Sequence, residues 1–250
     1  MNAAERIERE REFHNQRFFE NNATRESPTR RFYDAIAYGF EEFRQRVTQV
    51  SRGQCVLEYG CGDEIMAFDL AHTARQVTGI DISDVAIQKA QQTASQRNLP
   101  NVKFTVDNAE DMRLADRSVD VVIGAGIIHH LDIAKALEEL RRVLRDGGVA
   151  IFAEPLGHNP ALNWFRNRTP ELRTPDEHPL MVRDLRQMAR AFSSSKVTFF
   201  GLIAPALGLM SPTVKPNSWL TRFVWALDKA VCRIPLLRRY AWYCYFELRA

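Results

Sequence analysis

The residues best suited to chemistry stand at the ends of apolar runs. Glu58, Gly60 and Gly62 close the run CVLEYGCG, and Asp63, Glu64 and Ile65 follow where a third glycine might be expected. Asp81 ends a second run, Asp107, Asn108 and Ala109 follow a third, Ala125 and Gly126 end a fourth, and Glu154 a fifth. Glycine at a strand end permits a tight turn and lets ligand atoms approach the backbone. A carboxylate ending the next strand is placed to accept hydrogen bonds from the two hydroxyls of a ribose. The pattern predicts a ligand that contains adenosine. Among His129, His130, His158 and His178 a general base working near neutral pH is expected. His129 and His130 are adjacent, so they point in different directions. One is expected to face the site, and together they suit a single ion poorly. No metal site is expected.

Several adenosine ligands fit this turn badly. A dinucleotide site needs G-x-G-x-x-G with a pyrophosphate on the helix N-terminus. Here the third position is Ile65, and Asp63 and Glu64 would repel a pyrophosphate. No Walker loop is present, and no Tyr-x-x-x-Lys pair. Acids at the loop suit a ligand with a cationic end, and S-adenosylmethionine has an ammonium and a sulfonium but no phosphate.

Five segments in order, VLEYGCG, VTGIDIS, VDNAED, VDVVIGAGIIHHL and LRDGGVAIFAEP, resemble a class I S-adenosylmethionine-dependent methyltransferase of the small-molecule, type 11/25-like kind. The resemblance runs from about residue 54 to 155, with weaker similarity to 250. It implies S-adenosyl-L-methionine as cofactor. Glu58 and the backbone from Gly60 to Gly62 then hold the methionine end, with Tyr59 counted among them. Asp81 takes the ribose hydroxyls and Ile82 packs on the adenine. Asp107, Asn108 and Ala109 lie at the adenine edge, and Ala125 and Gly126 lie beneath the sulfonium. His129 and His130 border the methyl-transfer channel. The chain departs from the family pattern at Glu64, where glycine is usual.

The elements that must position these residues alternate. Strands are expected at QCVLEYG, QVTGID, VKFTVDNAE, SVDVVIGAG and GVAIFAEP, and later at KVTFFGLIA and AWYCYFEL. Helices are expected at EIMAFDLAHTA, at DVAIQKAQQTASQRN capped by Ser83, at DIAKALEELRRVL closed by DGG, and at MVRDLRQMARAF. The result is an α/β fold, a Rossmann-like, doubly wound, seven-stranded sheet with right-handed crossovers. Residues 1–50 read as an N-terminal helical lid broken at Ser27-Pro28, with the charged stretch from Glu5 to Glu12 as a solvated face. Residues 51–250 form the methyltransferase domain, with inserts at 155–180 and 205–240. The first insert carries His158, Arg166, Arg168, Arg173, Asp176, Glu177 and His178. Tyr33 and Tyr38 are placed to reach the cofactor or the substrate.

Composition excludes little but is ordinary: 250 residues, 45% hydrophobic, 26% charged, net charge +3. That charge is too small to imply nucleic acid, and no N-P-P-Y-type motif follows the fourth strand. Cys55, Cys61, Cys232 and Cys244 form no C-x-x-C pair, which reads as reduced thiols in a cytoplasmic setting. The N-terminus lacks a signal-peptide core. From Lys215 to Arg239 six bases face one acid, Asp228, giving 6 − 1 = +5, interleaved with Trp219, Phe223 and Trp225. Such a segment can lie in a lipid headgroup layer. The expected activity is methyl transfer to a small or lipid-linked molecule, on oxygen. The rivals are a cyclase or isomerase that keeps the cofactor for its charge, and a non-catalytic, membrane-docked binding protein.

Overall fold

A computed structural model describes residues 3–19, 26–62, 65–169, 174 and 177–250. Seven strands form one sheet: β1 (Cys55–Tyr59), β2 (Gln76–Asp81), β3 (Val102–Val106), β4 (Val119–Ala125), β5 (Leu144–Pro155), β6 (Ser194–Phe200) and β7 (Tyr243–Arg249). Their order is β3-β2-β1-β4-β5-β7-β6, parallel except for β7, which runs against both neighbours. The chain winds outward from β1 to β3, then returns to β4 on the other side. The order therefore reverses between β1 and β4, and an open α/β sheet binds ligands beyond the carboxyl ends of its strands at such a point.

The helices are α1 (Ala3–Phe19), α2 (Glu26–Ala35), α3 (Ala37–Ser51), α4 (Ala67–Leu70), α5 (Asp84–Gln96), α6 (Ile133–Val143), α7 (Pro160–Arg166), α8 (Val182–Ala191), α9 (Ala206–Met210) and α10 (Trp219–Val231). The central strands are apolar on both sides because both faces are covered. On one face α3, α4 and α5 bury Val56, Val77, Phe104, Val121 and Ile151. On the other α6 and α8 bury Leu57, Ile80, Val122, Phe152 and Phe246. Ser83 caps α5 by accepting from the Ala86 amide, as its position implies.

Three expectations about local structure need correction. The second expected helical segment does not start after Ser27-Pro28 and is not continuous: α2 begins at Glu26, includes both residues, and is separated from α3 at Ile36. Proline is tolerated in the first turn of a helix, where its missing N–H has no intrahelical partner. The Asp146-Gly147-Gly148 stretch does not end α6. The helix stops at Val143, and these residues lie within β5, with Gly147 at φ +77°. The helix expected over 64–74 is one turn, α4. The second insert, for which no helix boundaries were assigned, is ordered around a 13-residue helix, α10.

Candidate active site

A cavity of about 1370 Å³ opens at the carboxyl ends of β1 and β4, lined by Glu58, Gly60, Gly62, Asp81, Ile82, Asp107, Asn108, Ala109, Ala125, Gly126, His129 and His130 among others. The topology collects these residues from four separate strand ends. Gly60 sits at φ +68°, and a Cβ there would stand 2.7 Å from the Ile127 side chain. Both facts demand glycine. Gly62 (φ +48°) and Gly126 (φ +66°) also have left-handed backbone.

The acids hold the loop as well as facing the cavity. The buried Glu58 carboxylate accepts from the Met66 amide at 2.7 Å and the Ala67 amide at 2.8 Å, at the start of α4. Burial pushes its pKa up to about 7, against the pull of those two amides. Asp81 accepts from the Gly62 amide and the Ser83 amide, both at 2.8 Å. Asp107 accepts from the Asn108 and Arg113 amides and pairs with the Arg113 guanidinium at 3.2 Å. Asp63 and Glu64, the departure from the glycine pattern, lie outside the described residues, as do Arg173 and Asp176.

A second group lies under the far wall. Glu154, fully buried at the end of β5, accepts from the Ile127 and Ile128 amides at 2.9 Å. Its other oxygen meets His129 Nδ1 at 2.7 Å. His129 Nε2 lies 3.7 Å from Glu177. Because the carboxylate is pinned by two amides, it fixes the imidazole with the proton on Nδ1, leaving Nε2 free to accept one. The His130 ring lies beside it, tilted by 40°, with ring centroids 4.3 Å apart.

Other expectations fail on geometry. The Tyr59 side chain is wholly buried in the core, its hydroxyl donating to the Ala109 carbonyl, so Tyr59 does not line the cavity. His158 accepts from the Val182 amide at 3.0 Å at the start of α8, outside the cavity. His178 is exposed and does not line the cavity, though its backbone amide donates to the His129 carbonyl. Neither is placed to act as a base at the carboxyl ends of β1 and β4. Tyr33 lines the cavity, but Tyr38 donates its hydroxyl to buried Asp228.

The lid reading of the N-terminal helices did not extend to which residues of α1 face the cleft. Glu10, read as part of a solvated charge run, is only 5% exposed. Arg6 binds Glu110 and the His130 carbonyl, Asn15 bonds Ser83 and Asp84, and Phe18 approaches Gly62. Arg6, Glu10, His14 and Phe18 recur every four residues, so one helical face covers the cleft. That spacing was legible in the sequence; the alternating charges obscured it.

An open sheet with this strand order, a glycine turn after β1 and a carboxylate ending β2 defines a nucleoside-binding α/β fold. Residues 57–152 match the family model described as a methyltransferase domain. A Mycolicibacterium smegmatis protein named "Probable S-adenosylmethionine-dependent methyltransferase" is 34% identical over 131 residues, 50% of this chain and 49% of that protein. This chain thus spans about half the length of that relative. The aklanonic acid methyltransferase of a Streptomyces species is 30% identical over 161 residues, 61% of this chain and 70% of that one. Among solved structures, a Haemonchus contortus phosphoethanolamine N-methyltransferase, in complex with phosphoethanolamine and S-adenosylhomocysteine, has a TM-score of 0.62. It is 14% identical and covers all of this chain and 50% of its own. The chain belongs to the class I S-adenosylmethionine-dependent methyltransferases.

The cleft fits that family's cofactor. Glycines at φ +68° and +48° bare the backbone of the first turn, and Glu58 and Asp81 present carboxylates where a cation and a ribose would sit.

Proposed function

We propose that this chain transfers a methyl group from S-adenosylmethionine to oxygen of a small or lipid-linked molecule. His129 is the general base and Glu154 its positioning residue. The observation that carries the reading is the 2.7 Å His129–Glu154 contact beside Gly126, at the carboxyl ends of β4 and β5. The cofactor supplies an electrophilic methyl group on a good leaving group. With the cofactor bound, Asp81 would orient the nucleoside, and Gly60 and Gly62 would admit its methionine end. His129 Nε2 would take the hydroxyl proton while the methyl group's bond to sulfur is exchanged for one to oxygen, the sulfur keeping the electron pair.

The lipid-linked part of the proposal rests on an exposed apolar surface, of which Leu209 also lines the cavity. Trp219, Phe223 and Leu227 lie exposed at helical spacing on α10, with Leu209 and Met210 of α9 and Leu236 beyond also exposed. The segment's charge of 6 − 1 = +5 suits an anionic headgroup layer. Among the described residues no helix is long and apolar enough to cross a membrane.

The test is incubation with labelled S-adenosylmethionine and aklanonic acid, the substrate in the Streptomyces relative's name. Mass spectrometry then looks for the gain of one methyl group. Glu154→Gln should leave S-adenosylhomocysteine affinity unchanged and slow transfer by roughly 10²–10⁴-fold, the span of general base catalysis. An isomerised product of unchanged mass would favour the cyclase reading. A His129→Gln variant at full rate would remove the base. Cosedimentation with phosphatidylglycerol vesicles, lost in a Trp219→Glu/Phe223→Glu variant, tests the docking.

A further inference from the structure

The mouth of the cavity carries a second constellation. Glu10 and His14 stand one turn apart on α1, and His130 follows β4. One oxygen, Glu10 Oε2, lies 3.5 Å from His14 Nε2 and 3.3 Å from His130 Nδ1. The three side chains offer donor atoms that all lie within 4.8 Å of one another. Both Glu10 oxygens and His130 Nδ1 are buried without a hydrogen-bond partner, and so is the nearby Thr174 hydroxyl. Buried polar atoms are seldom left so, and a carboxylate least of all.

The spacing says what is wanting. Charge-assisted N–H···O bonds run about 2.7–2.9 Å. The two contacts are longer than that and lack hydrogen-bonding angles. Ligands about 2.0–2.1 Å from a tetrahedral zinc ion stand about 3.4 Å from one another. Two imidazoles and one carboxylate, with a position left open, form a donor set that zinc accepts. His129, His130 and Glu177 also bring donor atoms within 4.8 Å of one another, but His129 Nδ1 is already held by Glu154 at 2.7 Å. Here α1 supplies two ligands, Glu10 and His14, and the turn after β4 supplies the third, His130, which leaves His129 to Glu154.

We infer that Glu10, His14 and His130 bind a zinc ion that staples helix α1 to the turn after β4. The ion closes α1 over the cofactor cleft and leaves its open coordination position facing the substrate space. The inference stands apart from methyl transfer: it concerns the closure of the cleft, and its readouts need no substrate.

The experiment is calorimetric titration of the metal-stripped full chain with zinc chloride, followed by chelation and mild trypsin digestion. One saturable equivalent is expected, with a higher Tm and slower cleavage at Arg6, Arg9 and Arg11, both reversed by chelator. Loss of an orienting partner outside the coordination shell costs about 10–100-fold in affinity, so loss of a ligand in His14→Ala should cost at least about 100-fold. Glu10→Gln should weaken binding likewise, while Cys61→Ser, which alters no proposed ligand, should not. The absence of saturable binding by the unmutated chain overturns the proposal, whatever the variants do. So does binding retained by a folded His14→Ala/Glu10→Gln chain, which would place the zinc elsewhere.

Discussion

Raising the pH through neutrality should weaken the fold through Glu58. Its carboxyl is buried beside the first glycine turn and its pKa stands at about 7, against an ordinary value of 4.5. The folded chain therefore holds this proton after the unfolded chain has lost it. Stability is fully present below about 4.5 and declines as pH rises towards 7 and just above. At about 1.36 kcal/mol per unit, the shift corresponds to roughly 3 kcal/mol, most of it between pH 5 and 7. Two backbone amides already stabilise the anion, so burial is the cause to test. Urea unfolding of the unmutated chain and of Glu58→Gln, stepped from pH 5 to 8, isolates the group. The amide variant does not titrate, so the difference between the two curves should change by about 2–3 kcal/mol across that range. Saturating S-adenosylmethionine, whose ammonium and sulfonium favour an ionised Glu58, should flatten the decline. Curves that run parallel within about 0.5 kcal/mol would refute the burial argument.

Other outcomes follow from the same geometry. Asp228→Ala strips the acceptor from Tyr38, Gly201, Ile203 and Ala204. It should cost about 3–5 kcal/mol in guanidinium unfolding, whereas Tyr38→Phe should cost only about 1–2. Asp81→Ala should weaken S-adenosylhomocysteine binding by roughly 10²–10⁴-fold in calorimetry, for two charge-assisted bonds at about 1.5–3 kcal/mol each. Gly60→Ala forces a left-handed residue against Ile127 and should lower the Tm by several degrees, with loss of cofactor binding.

Much of this arrangement was legible because local signals agreed with global ones. β1, β2 and α5 follow from apolar runs and a serine cap, and the meeting of Glu58, Asp81 and Asp107 at one cavity from their places at strand ends. What escaped depends on three-dimensional partners. Tyr59 is next to the cavity-lining Glu58 in sequence, but strand alternation sends its ring to the opposite face. His158 and His178 have the right chemistry on a connection whose path no periodicity reveals. Glu10 looked solvated because its neighbours are charged, and only the folded chain brings it against His130. The outward row Trp219, Phe223 and Leu227 and the inward Thr221 and Asp228 of α10 could be sorted by helical spacing, yet which row met the core depended on Ala35 and Tyr38 elsewhere.

The most direct test of the central claim is a crystal structure with S-adenosylhomocysteine bound. The account places both ribose hydroxyls on the Asp81 carboxylate, the sulfur above Gly126 and the adenine beside Ile82 and Asp107. A nucleoside bound elsewhere, or a cleft that stays empty at saturating ligand, would contradict it.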